Sequence, residues 1–176
     1  MKSTEVYKEI KKIIFPNLKS KGFKKAKTGM LGFYKQLKEF YLVIWFQCSQ
    51  DGFDQFAGSE FIVEIQISKT NKIGTASVLR ERIPFFLKGK DFKDIVRIEN
   101  EIKSKLHKPP KTYFIFSLPE NIQKWYMKKF EKVTTIYNNS SDIWFKYFDQ
   151  ADIEKWIKLI EPMINKIVYD FEQTDY

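Results

Sequence analysis

The sequence predicts an α+β fold, in which an antiparallel sheet of four to six strands packs against the N- and C-terminal helices. Three observations lead to this prediction. Apolar residues recur at helical spacing over residues 4–19 and again over residues 150–172. Seven consecutive apolar residues, 40–46, have the length of a buried strand. Residues 59–68 alternate between apolar and polar side chains, which is typical of a strand with two different faces.

The first helix is predicted over residues 4–19. Ser3 or Thr4 can cap its start, and Glu5 favours the positive N-terminal end of the helix dipole. We expect Pro16 to bend or interrupt the last turn, and Gly22 to end the helix in the left-handed conformation. The apolar stripe that faces the core consists of Val6, Ile10, Ile13, Ile14 and Leu18.

Short strands are predicted at residues 23–26 and 31–37, followed by the two strong strands, 40–48 and 59–68. The turn-rich sequence "SQDGFDQFAG" joins the two strong strands, so they should pair as antiparallel neighbours. The register that buries the most apolar area places Phe61, Val63, Ile65 and Ile67 beside Phe40, Leu42, Ile44 and Phe46.

That register leaves an opposite face that is both aromatic and polar. This face is either covered by a helix or open as the wall of a ligand-binding site. The candidate binding residues on it are Tyr41, Trp45, Gln47, Glu64 and Gln66.

The second half of the chain is predicted as one continuation of the same single domain, residues 1–176, with an inserted helical element at about 77–118. In chain order we expect a turn at 69–76, a broken helix ending at Pro84 and a helix over 92–107 capped by Asp91. A strand at 112–117, a helix from Pro119 to about 132 and a hairpin of residues 134–137 with 143–148 should follow. The last helix, 150–172, should kink at Pro162.

Several function classes are excluded by composition and motifs. One cysteine and one histidine cannot build a zinc site of clustered Cys and His ligands, and the chain has no phosphate-binding glycine motif. No metal and no cofactor is therefore predicted. A lone cysteine also forms no internal disulfide, and no apolar run is long enough to span a bilayer, so we expect a cytoplasmic protein with no membrane partner.

Two residues, Cys48 and Glu64, are candidates for a catalytic role. Cys48 would need a nearby base to act as a nucleophile, and the only histidine, His107, is not placed beside it by any spacing in the sequence. Glu64 lies in a strong strand between Val63 and Ile65, where it either faces solvent, pairs with a lysine or serves as a catalytic carboxylate. No catalytic residue is predicted on this basis.

The net charge of +9 lies entirely in the first fifth of the chain, because residues 1–38 hold eleven lysines and two acids while the remainder is balanced. A cluster of five lysines could contact nucleic acid or could simply be a solvated face. All three arginines lie elsewhere, which weighs against specific phosphate and base contacts. The cluster consists of Lys19, Lys21, Lys24, Lys25 and Lys27.

The stretches "LKSKGFKKAK" at 18–27 and "VIWFQCS" at 43–49 resemble a family of small bacterial proteins named domain of unknown function 4304. The resemblance covers roughly the first seventy residues and rests on Leu18, Gly22, Phe23 and Lys24, then on Phe46 and Gln47. It implies a compact α+β domain and a bacterial source, and it brings no activity or catalytic residue with it.

The leading functional hypothesis is a non-catalytic protein that binds another protein, of the immunity or antitoxin kind. An exposed aromatic patch would favour it, with Trp125, Tyr126, Trp144 and Tyr147 as the candidates. Nucleic-acid binding through the N-terminal lysines is the second hypothesis. An enzyme built on Glu64 is the third.

Overall fold

A computed structural model describes residues 1–27, 29–106, 119–131 and 143–174, in which one helix is followed by five successive strands and then by a mainly helical second half. The helices are α1 (Ser3–Ser20), a 3₁₀ helix (Ile83–Phe86), α2 (Gly89–Lys103), α3 (Glu120–Glu131) and α4 (Gln150–Gln173). The strands are β1 (Lys24–Lys25), β2 (Leu31–Gln36), β3 (Tyr41–Cys48), β4 (Ser59–Ser68), β5 (Leu79–Arg82) and β6 (Phe145–Tyr147).

All strand pairs of the described sheet are antiparallel. Strands β1 to β5 lie side by side in chain order, as successive hairpins produce. Strand β4 is long enough to pair twice on the same side, with β6 along its first three residues and with β5 along Glu64–Ile67. The predicted α+β class, with an antiparallel sheet and terminal helices, is confirmed.

The predicted register of the two central strands is also confirmed. Leu42 pairs with Ile67, Ile44 with Ile65 and Phe46 with Val63, and all six side chains are buried on one face of the sheet. Helices α1 and α4 pack on this face and contact each other, which removes the apolar stripe of each from water.

The start of α1 differs from the prediction, because Lys2, and not Ser3 or Thr4, is the N-cap, and its backbone N–H donates to Glu5 Oε2 at 2.6 Å. The C-terminal end follows the local chemistry of the sequence. Gly22 has φ +86°, the left-handed conformation predicted for the residue that ends the helix. Pro16 does not interrupt α1, which continues to Ser20, and Pro162 likewise lies inside α4.

Residues 77–90 do not form the broken helix that was predicted. Leu79–Arg82 form strand β5 instead, because the second half of β4 offers backbone groups that a fifth strand can pair with. Pro84 opens the 3₁₀ helix rather than ending a helix. A proline suits the first turn, where its missing N–H has no helical partner.

Helix α2 begins three residues earlier than the predicted start at residue 92. Gly89 is its first residue, and Asp91 lies in the first turn, where its Oδ2 accepts a hydrogen bond of 2.9 Å from the backbone N–H of Lys88. Asp91 therefore caps the helix by reaching back, as the acidic member of a capping box does. The helix ends at Lys103.

Two predicted elements lie outside the described residues, namely the strand at 112–117 and the first half of the hairpin, 134–137. His107 lies outside them as well. The second half of that hairpin is β6, which pairs with β4.

Ionic contacts join the end of α2 to the start of α4. Lys105 Nζ lies 2.8 Å from Asp149 Oδ2 and 2.6 Å from Asp152 Oδ1. The buried Asp152 also accepts a hydrogen bond of 2.9 Å from the backbone N–H of Phe148. Burial opposes the charge of Lys105, but its two carboxylate partners outweigh that cost and raise its pKa above the ordinary value.

Trp156 ties α4 to β6. Its side chain is 0% exposed, its ring packs 5.0 Å from that of Phe145, and its Nε1–H donates to the carbonyl of Lys146 at 2.6 Å. Trp156→Ala should therefore lower the free energy of unfolding by about 3–5 kcal/mol, since it leaves a large cavity and an unpaired carbonyl. Urea denaturation measures this change.

The matched control is Tyr169→Ala, on the same helix, because Tyr169 is 61% exposed. It should change stability by less than about 0.5 kcal/mol. Equal effects of the two substitutions would contradict the assignment of Trp156 to the core.

Candidate functional site

The five candidate binding residues lie on the sheet face opposite α1 and α4, which we call the polar face. Here Trp45 pairs with Glu64, Val43 with Gln66 and Gln47 with Ile62, so the sequence placed them on the correct face. Trp45 is 1% exposed and Glu64 is 6% exposed. The centre of the polar face is therefore covered.

Among the described residues, the loop between β4 and β5, residues 69–78, covers this face. Gln66 holds this loop, because its Nε2 donates to the carbonyl of Lys72 at 3.1 Å and its Oε1 accepts from the N–H of Gly74 at 3.0 Å. The loop lies so close to the sheet that a Cβ on Gly32 would stand 2.5 Å from Ile73 Cδ1. Gln66 thus anchors a lid made of the chain itself.

Two arginines from β5 cover the rest of the centre. Arg80 Nε lies 2.9 Å from Glu64 Oε2, and Arg82 Nε lies 3.9 Å from Glu64 Oε1. The Arg80 guanidinium also lies over the Trp45 ring at 5.3 Å. The Glu64 carboxylate is thus the counter-ion of both guanidinium groups, and the Trp45 ring beneath Arg80 adds a cation–π contact that helps to fix the position of that arginine. The sequence did not indicate these partners, because β5 was predicted to be helical.

Tyr41 lies apart from this cluster, at the end of β3 beside a hollow of about 300 Å³. Tyr34 and Tyr41 contact each other edge to face there, with ring centroids 6.1 Å apart. The hollow is lined by Gly22, Lys24, Tyr34, Lys35, Gln36, Tyr41 and Asn71. It therefore combines one predicted binding residue, Tyr41, with one of the five predicted nucleic-acid lysines, Lys24.

The other clustered lysines differ in their surroundings. Lys21 Nζ donates to Asn165 Oδ1 at 2.9 Å and so helps to join α1 to α4. Among the described residues, no carboxylate pairs with Lys19, Lys24, Lys25 or Lys27, and all four are exposed. These four remain available to an anionic partner.

Cys48 lies at the end of β3 with its thiol buried. Burial raises the pKa of Cys48 to about 11, although the Tyr7 hydroxyl works in the opposite direction. The thiolate is the reactive form, so the thiol should be inert at neutral pH. No group of three or more potential metal ligands occurs within the described part of the chain.

Tyr147 does not belong to the predicted aromatic patch. Tyr147 is buried in the core, whereas Trp125 is exposed and Trp144 is half-buried with the Arg82 guanidinium 5.6 Å above its ring. The side chain of Tyr126 lies outside the described residues. Tyr147 points inward because it shares the core face with Phe145 and Phe61.

A larger surface feature, which the sequence did not reveal, is a groove of about 740 Å³. It runs between the β5–3₁₀ segment and the second half of α4, and we call it the α4 groove. Its apolar lining includes Leu79, Phe85, Phe86, Met163, Ile167 and Phe171, and the charged residues around it are Lys88, Lys90, Asp91, Lys166 and Asp170. Phe85 is 60% exposed.

No family model, curated protein or solved structure matches the chain. The resemblance to domain of unknown function 4304 therefore stays a prediction. None of the described helices is long and apolar enough to cross a membrane.

The role of Gln66 can be tested by Gln66→Leu, which keeps the approximate size of the side chain but removes its three hydrogen bonds with the loop. We expect a loss of about 1–3 kcal/mol in stability, because the buried amide satisfies backbone groups of Lys72 and Gly74. Hydrogen exchange at Gly74 should accelerate. Gln36→Leu, on the exposed end of the same face, is the control, and an equal effect there would count against the anchor.

The state of Cys48 can be tested through pH. Because its pKa of about 11 in the folded protein exceeds that of an ordinary thiol, its stabilising contribution is complete below about pH 9 and is lost as the pH rises toward 11. The unfolding free energy of the wild type should fall by up to about 2–3 kcal/mol more than that of Cys48→Ala across this range. Parallel pH profiles for the two proteins, or fast alkylation of the native thiol at pH 7, would contradict this.

Proposed function

We propose that this protein is a non-catalytic binding protein whose α4 groove receives an acidic, partly apolar segment of another protein. The observation that carries the proposal is the groove itself. Its volume of about 740 Å³ lies in the range of protein pockets that bind ligands, and apolar side chains form much of its lining.

Phe85 supports an apolar partner. A phenylalanine that is 60% exposed at the edge of an apolar groove keeps a large hydrophobic area in water. Burying such an area stabilises a complex, and aromatic anchors of this kind contribute disproportionately to protein interfaces.

The charges around the groove support an acidic partner. Lys88, Lys90 and Lys166 have no carboxylate partner within the described residues, whereas Asp91 already accepts the hydrogen bond that caps α2. The whole chain carries a net charge of +9, which attracts an acidic protein and repels a second copy of itself.

A non-catalytic role agrees with the state of Cys48 and Glu64, the two residues that the sequence offers as candidates for catalysis. Cys48 is held as a neutral thiol, and Glu64 is occupied by Arg80 and Arg82. An enzyme built on Glu64 would need that carboxylate to be released from both arginines. The proposal places the protein in the bacterial cytoplasm, where a protein of the immunity or antitoxin kind meets its partner.

The test selects binding peptides from a displayed random library against the wild-type protein. Selected peptides should combine apolar residues with Asp or Glu. Phe85→Ser and Lys166→Glu should each weaken their binding about tenfold or more, because one removes the anchor and the other reverses a rim charge. Fluorescence titration of a labelled peptide measures the change.

Tyr169→Ser is the matched control, because Tyr169 is as exposed as Phe85 and lies on α4 outside the groove lining. Peptides that bind Phe85→Ser as tightly as the wild type would show that the groove is not the site. A selection that yields no acidic, apolar peptides would contradict the proposed partner.

A further inference from the structure

The hollow beside β1 is a second surface with its own chemistry, and it shares no residue with the α4 groove. The pairing register of β1, β2 and β3 brings its lining residues together. Lys24 of β1 lies across from Tyr34 of β2, and Tyr41 of β3 lies across from Gln36 of β2. Asn71 reaches the hollow from the loop that Gln66 anchors.

Several polar groups of this hollow make no hydrogen bond within the described part of the protein. Among the described residues, the hydroxyls of Tyr34 and Tyr41 and the side-chain amides of Gln36 and Asn71 have no hydrogen-bond partner. Such groups, converging beside two aromatic rings, resemble the few placed polar groups of a ligand site.

The charge of the hollow has one sign. No carboxylate occurs among its lining residues, and Lys24 has no ion-pair partner within the described chain. Lys69 and Lys72 flank Asn71 in the covering loop, and Lys25 and Lys27 continue the β1 edge, all of them exposed. Lys35 is the exception, because its Nζ pairs with Glu172 Oε1 at 2.5 Å. The acidic residue nearest in sequence to the lining residues is Glu39, on the turn between β2 and β3.

We propose that this hollow binds one nucleotide of a single-stranded nucleic acid, with the base against the Tyr34 and Tyr41 rings and a phosphate at Lys24. Neighbouring phosphates lie along Lys27, Lys69 and Lys72, whereas Lys25 pairs with Phe33 on the opposite face of the sheet. Only a single strand presents a free base face, since the bases of a duplex are stacked on one another.

The residue types set the kind of recognition. Lysine neutralises a phosphate as a point charge and reads no base, and stacking on tyrosine accepts any base. The site therefore binds single strands with little sequence preference. The residues that line the hollow include no arginine, the residue most suited to specific contacts with bases. This composition agrees with binding of single strands regardless of sequence.

The experiment is a fluorescence anisotropy titration of labelled single-stranded oligonucleotides of dT and of rU at about 50 and 150 mM salt. The logarithm of the affinity should fall against the logarithm of the salt concentration with a slope of roughly −2 to −3, as expected for about three to four neutralised phosphates. Tyr41→Leu should weaken binding roughly tenfold, and Tyr41→Phe should preserve it, because the ring carries the stacking. Inorganic polyphosphate, which has no bases, should not distinguish the wild type from Tyr41→Leu.

Charge variants complete the test. Lys24→Gln combined with Lys72→Gln should reduce the salt slope by about 1.4. Lys8→Gln combined with Lys11→Gln, on the exposed side of α1, removes the same charge and should leave the slope unchanged. Absence of single-strand binding at low salt, equal affinity for duplex, an unaffected Tyr41→Leu variant, or equal loss in the two double variants would each overturn the proposal.

Discussion

The register between β3 and β4 is the constraint on which the rest of the structure depends. It places Leu42, Ile44 and Phe46 against α1 and α4, and it places Trp45 beside Glu64 on the opposite face. A shift of β4 by one residue against β3 would exchange the two faces of β4 and bury Glu64 in the apolar core. The large difference in burial free energy between these arrangements fixes the sheet, and it also creates a polar face that needs a cover of its own.

The cover comes from the chain immediately after β4. Gln66 holds the loop 69–78, and Glu64 holds Arg80 and Arg82 of the next strand, so each buried polar side chain is satisfied by residues that follow it within about twenty positions. The face that the sequence singled out as a binding wall is therefore largely filled at its centre. Two open surfaces, the hollow and the α4 groove, lie beside β1 and beside β5.

The sequence predicted the parts whose signal is local. Helices α1 and α4 have clear apolar periodicity, and β3 and β4 have a run and an alternation that assign each residue to a face. Strand β5 was missed because Leu79–Arg82 contains three charged residues in four, and only its pairing with β4 makes it a strand. The α4 groove was missed for a related reason, since Phe85 and Met163 meet only through the fold. The sequence singled out two residues of the hollow, Tyr41 and Lys24, but nothing in it indicated that they lie beside each other.

The charge asymmetry of the chain acts differently on the two edges. A net charge of +9 attracts any acidic macromolecule at long range, but at physiological salt a Debye length of about 8 Å leaves only the nearest charges effective. Local composition then decides what binds where. The groove offers apolar area with a rim of mixed sign, which favours a folded or extended peptide, whereas the hollow offers tyrosine rings with lysines and no lining carboxylate. An anionic polymer without apolar side chains gains nothing from Phe85, and an apolar peptide gains little from Lys24, so the two edges should discriminate between partners by contact chemistry rather than by total charge.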